Sequence, residues 1–142
     1  MIDKLDYYHG AAILSLIEDP RCQKISKSEY GYLVNEEAIV CLKYSTKGHS
    51  PWHFTVTTDD VSRLTNALAA SRRCVVGFVC GGDGVCAAPW ASVNQLIAAT
   101  PAWITAQRAF NGSYGLSGPR GRLKHKIALN RWPNVVFEES DE

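Results

Sequence analysis

The feature that most constrains the fold is segment 73–88, where two apolar, β-rich runs, 73–80 and 85–88, flank Gly81-Gly82-Asp83-Gly84. Glycine and aspartate tolerate the positive φ that a tight reversal requires, so the segment reads as a β-hairpin. The turn length also sets the relation of Cys80 to Cys86. A three-residue loop sets them opposite each other on one face, and a two-residue loop sets them on opposite faces. Asp83-Gly84 favours the two-residue form. With no C-x-x-C spacing and no neighbouring histidine, neither a metal nor a cofactor is expected there.

Other segments repeat this logic. Runs 22–26 and 30–34, a turn at Asn35-Glu36-Glu37 and the apolar run 38–45 predict further antiparallel pairing. Segment 52–57 alternates, with Trp52, Phe54 and Val56 on one face and His53, Thr55 and Thr57 on the other. Segments 103–110 and 113–116 around Asn111-Gly112 predict another hairpin, followed by a strand over 123–129 and a terminal segment 135–137. Three helices interrupt the strands. Leu5, Tyr8, Ala12 and Leu16 give helical spacing over 3–18, which Asp19-Pro20 ends. Thr57-Thr58-Asp59-Asp60 is a helix start with a hydroxyl cap and early acids, and Ser92-Val93-Asn94-Gln95 matches a capping box for a short helix ending near Thr100-Pro101. Hairpins with helices inserted between them predict one α+β domain over residues 1–142. Its antiparallel or mixed sheet would be packed by two main helices and one short one. A chain of 142 residues, 46% hydrophobic, can bury the core this needs.

The N-terminal MIDKLDYYHG lacks the basic region of a signal peptide, and the apolar run 11–17 is too short to span a bilayer. A cytoplasmic protein without membrane attachment is therefore expected. Five cysteines, Cys22, Cys41, Cys74, Cys80 and Cys86, form no framework and read as buried thiols. The net charge of +1 conceals an asymmetry. Residues 84–137 contain no Asp or Glu but carry Arg108, Arg120, Arg122, Lys124, Lys126 and Arg131, so they stand at +6 against −5 for the rest (nine basic, fourteen acidic). Such a field argues about partners, and the partner it suits is a polyanion.

Two basic stretches are candidates for that role. In Leu42-Lys43-Tyr44-Ser45-Thr46-Lys47 and Ser50-Pro51-Trp52-His53-Phe54-Thr55, parity predicts that Leu42 and Trp52 face the core while Lys43 and His53 share the other face with Cys41 and Thr55. Lys47 and Ser50 would lie at the strand ends. Lysine, hydroxyls and histidine make a workable anion site, although a plain polar loop uses the same residue types. With Tyr32-Leu33-Val34-Asn35 and the upstream His9-Gly10, these residues resemble a pattern in small uncharacterised bacterial proteins, some in mobile DNA. The resemblance implies a link to nucleic acids and carries no activity or catalytic residue. In the second stretch, Arg120, Arg122, Lys124, Lys126 and Arg131 accompany Tyr114, His125 and Trp132, the mixture that tracks phosphates and stacks on bases. Alternation over 123–129 predicts a basic stripe on an exposed strand.

Catalytic motifs are sparse. His9, His49, His53 and His125 are candidate bases, with Asp59, Asp60 or Asp83 to orient one, but there is no G-x-S-x-G, H-E-x-x-H or P-loop. A restriction-type nuclease wants an acid two residues before a strand lysine. Cys41 stands there before Lys43, with Glu36 and Glu37 as the nearby acids. His9, among Leu5, Ala12, Ile13 and Leu16, reads as a hydrogen-bonded core histidine. The expectation is a noncatalytic nucleic-acid-associated module using Lys43, Lys47, His53, Arg120, Arg122, Lys124, Lys126 and Arg131. The alternatives are a small-molecule or peptide-binding domain or enzyme, with a pocket lined by Tyr7, Tyr8, Trp52 and Phe54, or a homo-oligomeric interaction protein. Whether the two basic stretches meet in space decides between a shared site and two solvated surfaces.

Overall fold

Gly77 sits mid-strand in a run of eight residues of which seven are buried, and both of its faces are covered. A computed structural model describes residues 3–28, 31–70 and 73–138. In chain order the elements are α1 (Lys4–Glu18), β1 (Ile25–Ser28), β2 (Gly31–Val34), β3 (Ala38–Ser45), β4 (Trp52–Val56), α2 (Thr58–Ala69), β5 (Arg73–Cys80), β6 (Gly84–Pro89), α3 (Trp90–Asn94), β7 (Ala102–Gln107), β8 (Gly115–Gly118), β9 (Gly121–Arg122) and α4 (Arg131–Phe137). The chain is an α+β domain, but with two sheets. One is five-stranded, in the order β1-β2-β3-β5-β6, with β3 and β5 parallel and the other pairs antiparallel. The other is the antiparallel sheet β4-β7-β8-β9.

The parallel pair explains the layers. A parallel crossover from β3 to β5 must travel over one face, and the chain uses it to insert β4 and α2. One face of the five-stranded sheet, through Ile39, Cys74, Val76, Phe78, Cys80, Cys86 and Ala88, packs with α2, α3 and the inner side of the second sheet. The other face, through Val40, Val75, Val79, Val85 and Ala87, packs with Ala12 and Leu16 of α1 and Trp132, Val135 and Val136 of α4. At Gly77 a Cβ would come 2.8 Å from Leu42 Cδ2 and 3.5 Å from the Trp132 ring. The space that the missing side chain leaves is taken by Leu42 and by Val85, whose Cγ1 would lie 3.2 Å from such a Cβ.

Several local expectations hold. α1 fills the span predicted from its apolar spacing, closed by a capping box at Asp3 and Asp6, and α2 begins at the predicted hydroxyl cap Thr57, in a box with Asp60. Others change under tertiary packing. The turn between β5 and β6 has three residues, Gly81-Gly82-Asp83, instead of two, because Cys80 pairs with Gly84. Cys80 and Cys86 therefore share a face but are offset, with Cys86 opposite Phe78. No cysteine is in a disulfide. The capping box at Ser92 is not used: α3 starts two residues earlier, at Trp90, whose buried indole sets its position. Segment 123–129 is no strand. It meets the sheet at two separate points, where Leu123 N–H donates to the Leu116 carbonyl of β8 (2.9 Å) and where Ile127 bridges to Tyr114, and the terminal segment becomes α4, broken at Trp132 by non-helical φ/ψ. Position 30, expected to open a strand, lies outside the described residues.

Candidate functional site

The two halves of the 42–55 stretch belong to different sheets, which overturns the shared face predicted for Lys43 and His53. Leu42 packs in the core under α1 and α4, whereas Trp52 packs in the core between the sheets. Lys43 turns inward toward α2, where its Nζ donates to Asp60 Oδ2 at 2.6 Å. Asp60 also accepts from the backbone N–H of Thr57 (2.9 Å), so it serves helix cap and ion pair together. Burial is the largest single influence on this carboxyl and raises its pKa. The bonds from Lys43 and Thr57 together outweigh it and hold the carboxyl below its ordinary value. Glu36 and Glu37, the acids near Lys43 in sequence, pair instead with Lys24 and Arg73. His53 points to the outer side of the second sheet, where Nδ1 shares a hydrogen bond with Thr105 Oγ1 (3.0 Å).

The loop between the strands is tied to the β5–β6 turn. Lys47 Nζ donates to the Pro51 carbonyl (2.8 Å), Trp52 Nε1 donates to the Lys47 carbonyl (2.9 Å), and Gly81 N–H donates to the Ser45 carbonyl (2.8 Å). Gly81 has φ +53°, and a Cβ there would lie 2.5 Å from the Lys47 oxygen, so the turn needs glycine.

A cluster that sequence reasoning did not assemble holds the same end of the sheet. Arg108, counted above among the available positive charges, donates from Nε and Nη2 to the two oxygens of Asp83 (2.8 and 2.6 Å). The Tyr114 hydroxyl donates to Asp83 Oδ2 (2.7 Å), and Arg108 Nη1 donates to the Gly112 carbonyl (3.2 Å). The guanidinium hydrogen bond holds the Asp83 carboxyl below its ordinary range. Burial, with Asp83 alongside, pushes the Tyr114 hydroxyl far above its own. Burial also pushes the Cys80 thiol beneath up to about 12. This is a clamp between β5–β6 and β7–β8, joining positions 25 and 31 residues apart. No local spacing announces it; the only signal was an acid inside a glycine-rich turn.

The C-terminal basic stretch is arranged differently. Lys124, His125 and Lys126 are exposed and line an open groove of about 600 Å³ beside Pro89, Ser92 and Gln95. Arg131 and Glu138 also line it and are paired with each other. Arg120 and Arg122 are exposed but do not line the groove. Among the described residues, Arg120, Arg122, Lys124 and Lys126 have no carboxylate partner. Lys43 and Lys47 do not line this groove, so it does not unite the two basic stretches. Because 123–129 is not a strand, the lysines form a ridge and not the predicted stripe.

The predicted aromatic pocket also divides. Tyr7 and Tyr8 line a cleft of about 370 Å³ between α1 and the turn glycines, with Leu129 and Trp132. Trp52 and Phe54 are absent from it because both are buried in the other core. His9, between these tyrosines and the sheet, is bonded at Nε2 to the Tyr32 hydroxyl (2.6 Å) and at Nδ1 to the Tyr44 hydroxyl. It is the hydrogen-bonded histidine expected from its apolar neighbours. Burial, followed by the nearby Tyr32 and Cys41, pushes the Tyr44 hydroxyl up to about 12. Among the described residues, no three His, Cys, Asp or Glu side chains come together as a ligand set, and no helix is long and apolar enough to cross a membrane. No family model matches the chain, and neither any curated protein nor any solved structure does so.

Proposed function

We propose that the protein is a nucleic-acid-associated binding module that holds phosphates along the ridge formed by Arg120, Arg122, Lys124 and Lys126. The observation that carries this reading is the ridge itself: four exposed cations without carboxylate partners among the described residues, two of which, Lys124 and Lys126, line an open groove. They stand within a 54-residue stretch, 84–137, that has no acid. Lysine and arginine presented this way neutralise backbone phosphates and release counterions. The resemblance of 42–55 to bacterial proteins carried in part in mobile DNA leans the same way, although Lys43 itself is engaged by Asp60.

The test is an anisotropy titration with labelled single- and double-stranded DNA and RNA across a series of salt concentrations. Binding should weaken steeply with salt, and Lys124→Gln with Lys126→Gln should flatten the log–log slope by about 0.7–0.9 per lost phosphate contact. Absence of binding to all four probes at about 20 mM salt overturns the reading, since phosphate contacts are strongest there.

A second reading rests on the cleft at Tyr7 and Tyr8. Its volume of about 370 Å³ and its glycine floor suit a small planar ligand. A thermal-shift screen against nucleotides and anionic metabolites discriminates, because a ligand that binds only the folded state raises Tm.

A further inference from the structure

The antiparallel sheet β4-β7-β8-β9 has one buried side and an outer side on which His53, Thr55, Trp103 and Arg122 are exposed while Thr105 between them is buried. Trp52, Phe54, Val56, Ile104, Ala106 and Leu116 fill the buried side. The helices make their main packing contacts with β3, β5 and β6 of the other sheet, which leaves the outer side of this one uncovered by them. Its register sets a row of residues directly across the strands: His53 on β4 faces Thr105 on β7, Thr105 faces Ser117 on β8, and Ser117 faces Arg122 on β9. Beside that row Thr55 pairs with Trp103. Trp103 is 52% exposed, whereas Trp52, Trp90 and Trp132 are all buried.

A tryptophan displayed on an open sheet needs an account, because the same residue turned inward would add to the core. Here it stands on a face with hydroxyls, an imidazole and an arginine. The four strands contain no Asp or Glu, so nothing on them repels an anion. Strand spacing of about 4.8 Å puts Arg122 two strands, about 10 Å, from the Trp103 strand. The chain then leaves the sheet edge at Arg122 and reaches the exposed Lys124 two residues later. An exposed aromatic ring on a sheet face, with positive charge at the sheet's edge, is the arrangement that stacks an unpaired base and steers its backbone.

We infer that this outer face is a platform for single-stranded nucleic acid, with a base stacked on Trp103 and the adjoining phosphates led over Arg122 to the Lys124–Lys126 ridge. The inference rests on the nucleic-acid reading above and adds strand type and a base-contacting residue to it. A duplex keeps its bases stacked on one another, so it can use the ridge but not Trp103. His53 and Thr105 are already hydrogen-bonded to each other, which fixes the imidazole beside the stacking position.

The experiment uses the full chain with a single-stranded oligothymidylate of about 15 nucleotides and a duplex of equal length. Binding the single strand should quench tryptophan emission, and Trp103→Phe should remove most of that quench while retaining affinity. Trp103→Ala should weaken single-strand binding by about 5- to 100-fold and leave duplex binding within about twofold. Each variant's Tm reports whether it has folded. If both probes bind but Trp103→Ala binds the single strand as tightly as the unaltered chain, or if Trp103→Phe quenches fully, the platform is overturned while the ridge reading stands. If neither probe binds at low salt, the ridge reading itself has failed, and the platform with it. Tighter binding of the duplex than of the single strand also overturns the platform.

Discussion

Arg108 and Lys124 lie in the same acid-free stretch and count equally in its charge, yet the fold treats them oppositely. Arg108 is held by both oxygens of Asp83 and by the Gly112 carbonyl, and its positive charge is consumed in joining two hairpins. Lys124 makes no ion pair among the described residues and faces an open groove. Lys43 follows Arg108: it belongs to the stretch that first suggested an anion site, but Asp60 engages it. Charge counted along a chain is thus only an upper bound on charge available to a partner. The difference lies in whether the backbone returns an acid to the cation.

This contrast can be broken at the clamp first. Asp83→Ala leaves the Arg108 guanidinium and the Tyr114 hydroxyl without their shared acceptor in a partly buried place, at a cost of about 2–3 kcal/mol. For a chain of this size a drop in Tm of about 6–12 °C should appear in a thermal melt. Asp60→Ala removes the acceptor of the Thr57 N–H, one half of the α2 capping box, and the partner of Lys43, and should cost about 1–2 kcal/mol, read in the same melt. Acid sharpens the comparison further. The Asp83 and Asp60 carboxyls are both held below the ordinary 3.8, so the fold favours their ionised forms. Their contribution is complete above about pH 5 and is lost as pH falls through the depressed folded values. Denaturant melts should therefore show stability falling below about pH 4, and Asp83→Asn should make that fall shallower. Lys124→Gln with Lys126→Gln lies at the other extreme. Stability should move by less than about 0.5 kcal/mol while polyanion binding weakens, the signature of charge the fold does not use.

The sequence disclosed elements best where a local physical device settles them. Asp3 with Asp6 and Thr57 with Asp60 close capping boxes within four residues, so both long helices begin where the sequence placed them. Alternation likewise fixed the inward Trp52, Phe54 and Val56 of β4. Segment 123–129 shows where such evidence stops. Its alternation is real, but its backbone meets the sheet only at separate points, Leu123 to Leu116 and Ile127 to Tyr114, and no ladder forms. The capping box at Ser92 failed similarly, because burial of Trp90 set the start of α3.

For the candidate site, composition revealed an acid-free basic stretch, and that conclusion stands because it depends on counting alone. Which of those cations remain open, and that Lys43 and His53 are on different sheets, depended on the crossover from β3 to β5 and on the insertion of β4 into a second sheet. The exposure of Trp103 has the same origin: alternation says that it opposes Ile104, but only the packing of the sheets says which side is covered. Capping, alternation and charge are properties of near neighbours and can be read directly from the chain. Partners separated by 17, 25 or 31 residues, as Lys43 and Asp60, Asp83 and Arg108, and Asp83 and Tyr114 are, meet only when the tertiary fold brings their strands and helices together.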